Sequence, residues 1–181
     1  MLSFAQLKDL ILNRRFWDNF FPRPATSTLA LGNTTPDFEL EDITNNRTIK
    51  LSDYQNQRPV IVAFTRIFTE KVYCPLCLPH IKELNEKYEN LTDRGIELLT
   101  IASIDPQQSQ QVVSDLGLKI PLLSDSSCKV FQSYQVGQAL GAPLPAQFVL
   151  DREGKLNYKH LFSFLSPNAS VEKLLEQSNI S

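Results

Sequence analysis

The apolar positions of the chain change period several times, and each change marks an element. Pro59-Val60-Ile61-Val62-Ala63-Phe64 is a continuous, largely β-branched run, which predicts a central strand covered on both faces. Over residues 75–92, Cys77, Ile81, Leu84, Tyr88 and Leu91 recur at four-three-four-three spacing, the buried stripe of a helix. Residues 96–103 predict a second buried strand. Residues 105–116 predict a helix with Asp105 as cap and Pro106 at the first helical position. A short strand over 121–123, a helix over 126–134, a hairpin of 148–151 with 155–164 around Glu153-Gly154, and a closing helix over 171–177 complete this part. Upstream, residues 37–43 alternate Phe38 and Leu40 with acidic residues, as a half-buried strand does. Asn45-Asn46 makes the turn and residues 48–51 return.

The N-terminus has a different pattern. Residues 3–19 predict a helix capped by Ser3, with Phe4, Leu7, Leu10 and Ile11 on one face. It runs through Arg14-Arg15-Phe16-Trp17 to Phe20-Phe21 and stops at Pro22 and Pro24, before a polar linker over 26–28. The chain therefore divides into a helical extension with linker, residues 1–29, and a domain, residues 30–181. Strands alternating with helices imply βαβ units, an α/β fold whose mixed central sheet has helices on both faces, with the extra N-terminal helix outside it. The aromatics of that helix are expected to pack back on the domain or across a homodimer.

Composition narrows the class. The 181 residues are 42% hydrophobic and 21% charged, with a net charge of −2, which suits a globular domain with an appendage. No basic stripe invites nucleic acid. No window approaches the apolar length of a membrane span, and no continuous apolar leader opens the chain. Three cysteines, an odd number, fit a reducing compartment and catalytic use better than a secreted disulfide framework. The expected location is cytoplasmic, which makes the Asn-x-Ser/Thr triplets at Asn33, Asn46, Asn90 and Asn168 coincidental.

The candidate chemistry is Cys74-Pro75-Leu76-Cys77, placed between the apolar strand and the amphipathic helix. With Cys74 at the N-cap, Pro75 at the first helical position and Cys77 in the first turn, unpaired N–H groups face the first sulfur and lower its pKa. Cys74 is then expected to face outward as the attacking thiolate, with Cys77 half covered and ready to resolve the product. The other readings are inert buried thiols or half of a zinc site. Zinc needs four ligands, and only Cys128, His80 and His160 remain, at unrelated spacings. Dithiol redox chemistry is the expectation.

Several further stretches share an order and spacing. They are Gly32…Pro36-Asp37-Phe38, Leu51-Ser52-Asp53-Tyr54, Tyr73-Cys74-Pro75-Leu76-Cys77, Ile101-Ala102-Ser103, Leu123-Ser124-Asp125, Tyr134-Gln135-Val136, and Pro145-Ala146-Gln147-Phe148-Val149-Leu150-Asp151 with Glu153-Gly154. Over about residues 31–177 the chain thereby resembles the thioredoxin-fold redoxins, specifically the alkyl hydroperoxide reductase / thiol-specific antioxidant (peroxiredoxin-like) family. The resemblance implies a thioredoxin-like fold, Cys74 as nucleophile and Cys77 as resolving thiol. It also implies a site shaped by Tyr73, Pro75 and a cis peptide at Leu144-Pro145 facing the cysteines. It departs from peroxiredoxins at two places. The Thr or Ser three residues before their peroxidatic Cys, and the Pro four residues earlier, are Lys71 and Ile67 here. Their arginine near the strand after the last loop is replaced by Pro145 and Gln147. The segment 65–73 is also longer than the usual loop.

Around the pair, Arg66 and Thr69 are expected to be solvated loop residues, with a stand-in role towards peroxide as the alternative. Glu70 and Lys71 are expected to be a charged loop. His80 is expected at the surface, the alternative being electrostatic tuning of the thiolate. Cys128 is expected to be a small buried hydrophobe, the alternative being a third active thiol. The expected function is thiol-dependent oxidoreduction with antioxidant activity, reducing hydroperoxides or protein disulfides, with a thioredoxin- or glutathione-type reductant and no metal or organic cofactor. The alternative is a redox-sensing or partner-binding module with little turnover.

Overall fold

The computed structural model describes residues 14–179. The helix expected over 3–19 lies outside the described residues up to residue 13; from residue 14 the chain forms a short helix α1, Arg14–Asp18. The strands are β1 Glu39–Asp42, β2 Arg47–Lys50, β3 Val60–Thr65, β4 Ile67–Thr69, β5 Val72–Tyr73, β6 Glu97–Ala102, β7 Leu122–Ser124, β8 Gln138–Ala139, β9 Ala142–Pro143, β10 Ala146–Leu150 and β11 Leu156–Leu161. The remaining helices are α2 Leu78–Asp93, α3 Pro106–Leu116, α4 Lys129–Ser133 and α5 Val171–Ser178.

Seven strands form one mixed sheet in the order β11-β10-β3-β6-β7-β1-β2. β3, β6 and β7 run parallel, while β10 is antiparallel to β3 and β1 antiparallel to β7. The continuous apolar run is central because both its faces are covered. Val60, Val62 and Phe64 enter a core with Phe131, Tyr134 and Phe148; Ile61 and Ala63 enter the opposite core with Ile81, Leu84, Val112 and Leu174. α4 thus covers one face, and α2, α3 and α5 the other. Phe64 has the rings of Phe131, Tyr134 and Phe148 at 4.9, 5.1 and 5.8 Å, so truncating it to alanine is expected to cost roughly 3–5 kcal/mol. Among the described residues no helix is long and apolar enough to cross a membrane.

Asp105 caps α3 as expected, its carboxylate accepting from the Gln108 N–H at 2.8 Å. Two hairpins were not legible in the periodicity: β4–β5 within the expected loop 65–73, and β8–β9 before β10. Their strands are two or three residues long, too short to establish a period.

Residues 14–29 lie along the domain. Arg15 donates to Ser103 Oγ at 3.2 Å and to the carbonyl of Phe68. Arg23 and Gln138 exchange backbone hydrogen bonds, and Lys159 Nζ holds the carbonyls of Ser27 and Leu29. Phe16, Trp17, Phe20 and Phe21 stack on one another at 5.3–5.7 Å, with Trp17 51% and Phe21 74% exposed.

Candidate active site

β3 delivers the chain to the carboxyl end of the parallel strands, where α/β sheets place their sites. The β4–β5 hairpin then turns back, and Cys74 comes directly after Tyr73. The turn 74–77 closes through N–H groups of Cys77 and Leu78, both donating to the Cys74 carbonyl at 3.0 Å. α2 begins only at Leu78, with Cys77 rather than Cys74 at its N-cap. The expected helix start is corrected by three residues, and the reason is Pro79: lacking an N–H, it is tolerated only in the first turn of a helix.

Both cysteines are buried, Cys74 with 6% and Cys77 with 1% of its surface exposed, and both are free thiols. The outward-facing Cys74 expected from the sequence is therefore corrected to a recessed one. Its thiol is nonetheless pulled down to about 6. The Cys77 thiol, donating a hydrogen bond, does most of this against the opposing effect of burial; the backbone N–H groups of Leu76 and Cys77 and the Arg66 guanidinium add to it. Cys77 is pushed up strongly by that same hydrogen bond, by burial and by the neighbouring charge. Two chemically identical groups three residues apart thus have opposite acidities, the pattern of an attacking thiolate and a thiol held in reserve.

Arg66 is the residue the sequence misplaces. It is buried rather than solvated, its exposure being 8%. Its guanidinium donates to the carbonyls of Ala139 and Leu140, lies over the Phe68 ring at 4.6 Å, and acts on both sulfurs. Its backbone N–H also serves the Cys77 sulfur. The available signal was its position: a residue directly after six buried strand residues is still inside. Thr69 is buried as well, its hydroxyl accepting from the Lys71 N–H at 3.2 Å. Glu70 and Lys71 pair with each other at 3.6 Å, and Glu70 accepts from Gln108.

His80 is buried, not at the surface. Burial lowers it to about 4; its ring faces the Ala169 carbonyl, and Nε2 has no partner. Cys74 is acted on by the Cys77 hydrogen bond and the Arg66 charge instead. Tyr73 is half-buried, with its hydroxyl enclosed and raised by burial and by Asp115 and Glu70. Pro145 is buried immediately before β10, and its peptide bond is trans, which corrects the cis expectation. The Leu144 N–H reaches the Gly137 carbonyl at 3.0 Å, and the chain passes straight from β9 into β10, an extended course that a trans bond serves.

Cys128 lies elsewhere. It is buried between α4 and the N-terminal segment, with Asn19 Nδ2 3.7 Å from its sulfur, and burial raises it to about 11. A cavity of about 380 Å³ lined by Cys128, Asn19, Arg23 and Gln138 opens there, away from the dithiol. Among the described residues no group of three or more His, Cys, Asp or Glu gathers to hold a metal.

The AhpC/TSA family matches residues 31–159. Thiol-disulfide oxidoreductase ResA of Geobacillus kaustophilus is 28% identical over 161 residues, covering 88% of this chain and 83% of that protein. Among solved structures, peroxidoxin BcpB of Mycobacterium tuberculosis superposes with a TM-score of 0.70 at 20% identity, over 84% of this chain and 97% of that one. AhpC of Enterococcus faecalis gives 0.72 at 16% identity, over 84% and 92%. These two likenesses establish the thioredoxin-like fold.

Proposed function

We propose a dithiol cycle for this chain, which belongs to the AhpC/TSA family: Cys74 attacks and Cys77 resolves. The protein is a thiol-dependent oxidoreductase. The observation that carries the assignment of roles is the opposite acidity of two touching thiols, Cys74 lowered to about 6 and Cys77 raised.

With a disulfide substrate, the Cys74 thiolate attacks one sulfur, forms a mixed disulfide and expels the other sulfur as a thiolate, which takes a proton. The charge on Cys74 is then gone. The repulsion that held Cys77 protonated disappears with it, while the Arg66 backbone N–H and guanidinium stay beside the Cys77 sulfur and favour its thiolate. Cys77 loses its proton, attacks the Cys74 sulfur, closes the protein disulfide and releases the second substrate thiol. Two electrons pass to the substrate, and an external thiol reductant of thioredoxin or glutathione type returns them.

A second substrate class, hydroperoxides, is favoured by Arg66 Nε, a buried donor without a partner beside the recessed sulfurs. There the thiolate takes the terminal oxygen, an alcohol or water leaves with a proton, and Cys77 condenses with the sulfenic acid, releasing water. The proposed setting is a reducing compartment, the cytoplasm, because a single Cys-x-x-Cys with one distant cysteine fits catalytic use better than a secreted disulfide framework.

The test is steady-state turnover with insulin disulfide, hydrogen peroxide and an alkyl hydroperoxide, recycled by thioredoxin or glutathione. Turnover lost in Cys74→Ser is expected. Stoichiometric oxidation without turnover would identify a redox sensor instead.

A further inference from the structure

Gln147 sits fully buried in β10, between Ala63 of β3 and His160 of β11. Its Oε1 accepts from the Ala169 N–H at 2.8 Å, and its Nε2 donates to Asn168 Oδ1 at 2.9 Å. Asn168 Nδ2 in turn donates to the carbonyl of Leu76 at 3.0 Å, inside the dithiol turn. The direction of this chain is set from one end. A backbone N–H needs an acceptor, so Gln147 must present oxygen to Ala169 and nitrogen to Asn168. Asn168 must then present oxygen to Gln147 and nitrogen to Leu76. The Leu76 carbonyl and the Cys77 N–H belong to one planar trans peptide and point in opposite directions. Drawing the carbonyl towards Asn168 turns the N–H towards residue 74, where it meets the Cys74 carbonyl at 3.0 Å and the Cys74 sulfur.

We propose that Gln147 and Asn168 are positioning residues for the dithiol: they hold the 76–77 peptide so that its N–H stabilises the Cys74 thiolate. Neither touches a sulfur through its own polar atoms; both act through the Leu76 carbonyl. The proposal rests on the reading of Cys74 as the attacking thiolate. The titratable and charged groups that act on Cys74 are Cys77, on its own turn, and Arg66, at the β3–β4 junction. Near Gln147 and Asn168, His160 acts on His80, and the two rings face the carbonyls of Ser166 and Ala169 respectively.

The experiment is the pH profile of Cys74 alkylation by iodoacetamide in the reduced full chain, with the modified cysteine identified by peptide mass. Asn168 is only partly buried, so its variants are expected to fold. Asn168→Ala and Asn168→Leu both remove the donor without adding charge. Each is expected to move the midpoint upward and slow alkylation near pH 6 by roughly threefold, with the plateau at high pH unchanged. An unchanged midpoint in both overturns the proposal. Asn168→Asp keeps the shape but turns an acceptor towards the Leu76 carbonyl. Its upward shift is expected to survive high salt, which screens a charge but does not restore a hydrogen bond; a shift abolished by salt overturns the proposal. Failure of the underlying cycle reads differently: turnover would then survive Cys74→Ser, whatever the alkylation profile of the Asn168 variants.

Discussion

The Arg66 guanidinium is buried, acts on the Cys74 sulfur and is tethered to the carbonyls of Ala139 and Leu140. A fixed cation there lowers the cost of the thiolate. It also cannot be removed without leaving carbonyls unpaired. Arg66→Met is expected to raise the Cys74 midpoint, slow turnover about tenfold for each unit it rises at pH values below that midpoint and far less at neutrality, and destabilise the fold by roughly 1–3 kcal/mol. Arg66→Lys keeps the charge but not the fork and is expected to fall between. Alkylation rates and thermal melting measure the two effects. An Arg66→Met protein with the parent midpoint would remove Arg66 from the site.

The dithiol makes stability depend on pH. Cys74 ionises at about 6 in the folded reduced chain, against an ordinary 9.0. Its stabilising contribution is complete above the unfolded value and is lost as pH falls through 6. Cys77 and Cys128 are raised, so their contributions have the opposite sign: present below the ordinary 9.0 and lost as pH climbs above it. The melting temperature of the reduced chain is expected to climb from about pH 6 to 9 and then fall. Cys74→Ala should lose the climb; retention of it would show that other groups cause it.

His80 governs the acid side. Buried, it titrates at about 4 in the fold against an ordinary 6.5. An unfolded chain therefore binds the proton first, and the His80 contribution is complete above 6.5 and lost as pH falls towards 4, by roughly 3 kcal/mol. His80→Asn is expected to flatten melting temperature between these limits. A variant with the parent slope would place the acid lability elsewhere.

Gly137 joins the N-terminal segment to the site loop. Its φ is +81°, and an added Cβ would lie 2.6 Å from both the Arg23 carbonyl oxygen and the Ala25 nitrogen. Backbone cannot swing aside as a side chain can. Gly137→Ala is expected to cost roughly 1–3 kcal/mol and to expose residues 14–25 to limited proteolysis. Parent-like melting and cleavage would mean that this packing does not hold the segment.

Cys128 is raised to about 11 and stands in the left-handed region, φ 57°, where the Asp125 carboxylate gathers the N–H groups of Lys129, Val130 and Phe131. Cys128→Ser is expected to retain turnover and to change stability only modestly. Loss of turnover in that variant, with Cys74→Ser still active, would move the reaction centre.

Most of the fold was legible along the chain. The run 59–64 is a strand because every residue is covered, and the stripe from Ile81 to Leu91 is helical because one face alone is buried. Of the site, the thiol spacing and the aligned N–H groups were legible because they are local. Along the chain the charge of Arg66 and His80 suggests water; the sheet end and Ala169 enclose them, which no neighbouring residue announces. In the sequence Asn168 shows only a coincidental glycosylation triplet, since its partner is Leu76, 92 positions away.

The sequence by itself determined the α/β class, the placement of two thiols between strand and helix, and therefore the dithiol chemistry. Each comes from periodicity or from spacing within a few residues. Only the tertiary structure decided which sulfur is acidic by more than its backbone turn, because Arg66, Gln147 and Asn168 reach that turn from three separate parts of the chain. Burial decided the rest: it recessed Cys74, kept Cys128 a thiol and made His80 an acid-sensitive element. An electrostatic environment is a sum over neighbours in space, and the chain carries its residues in another order.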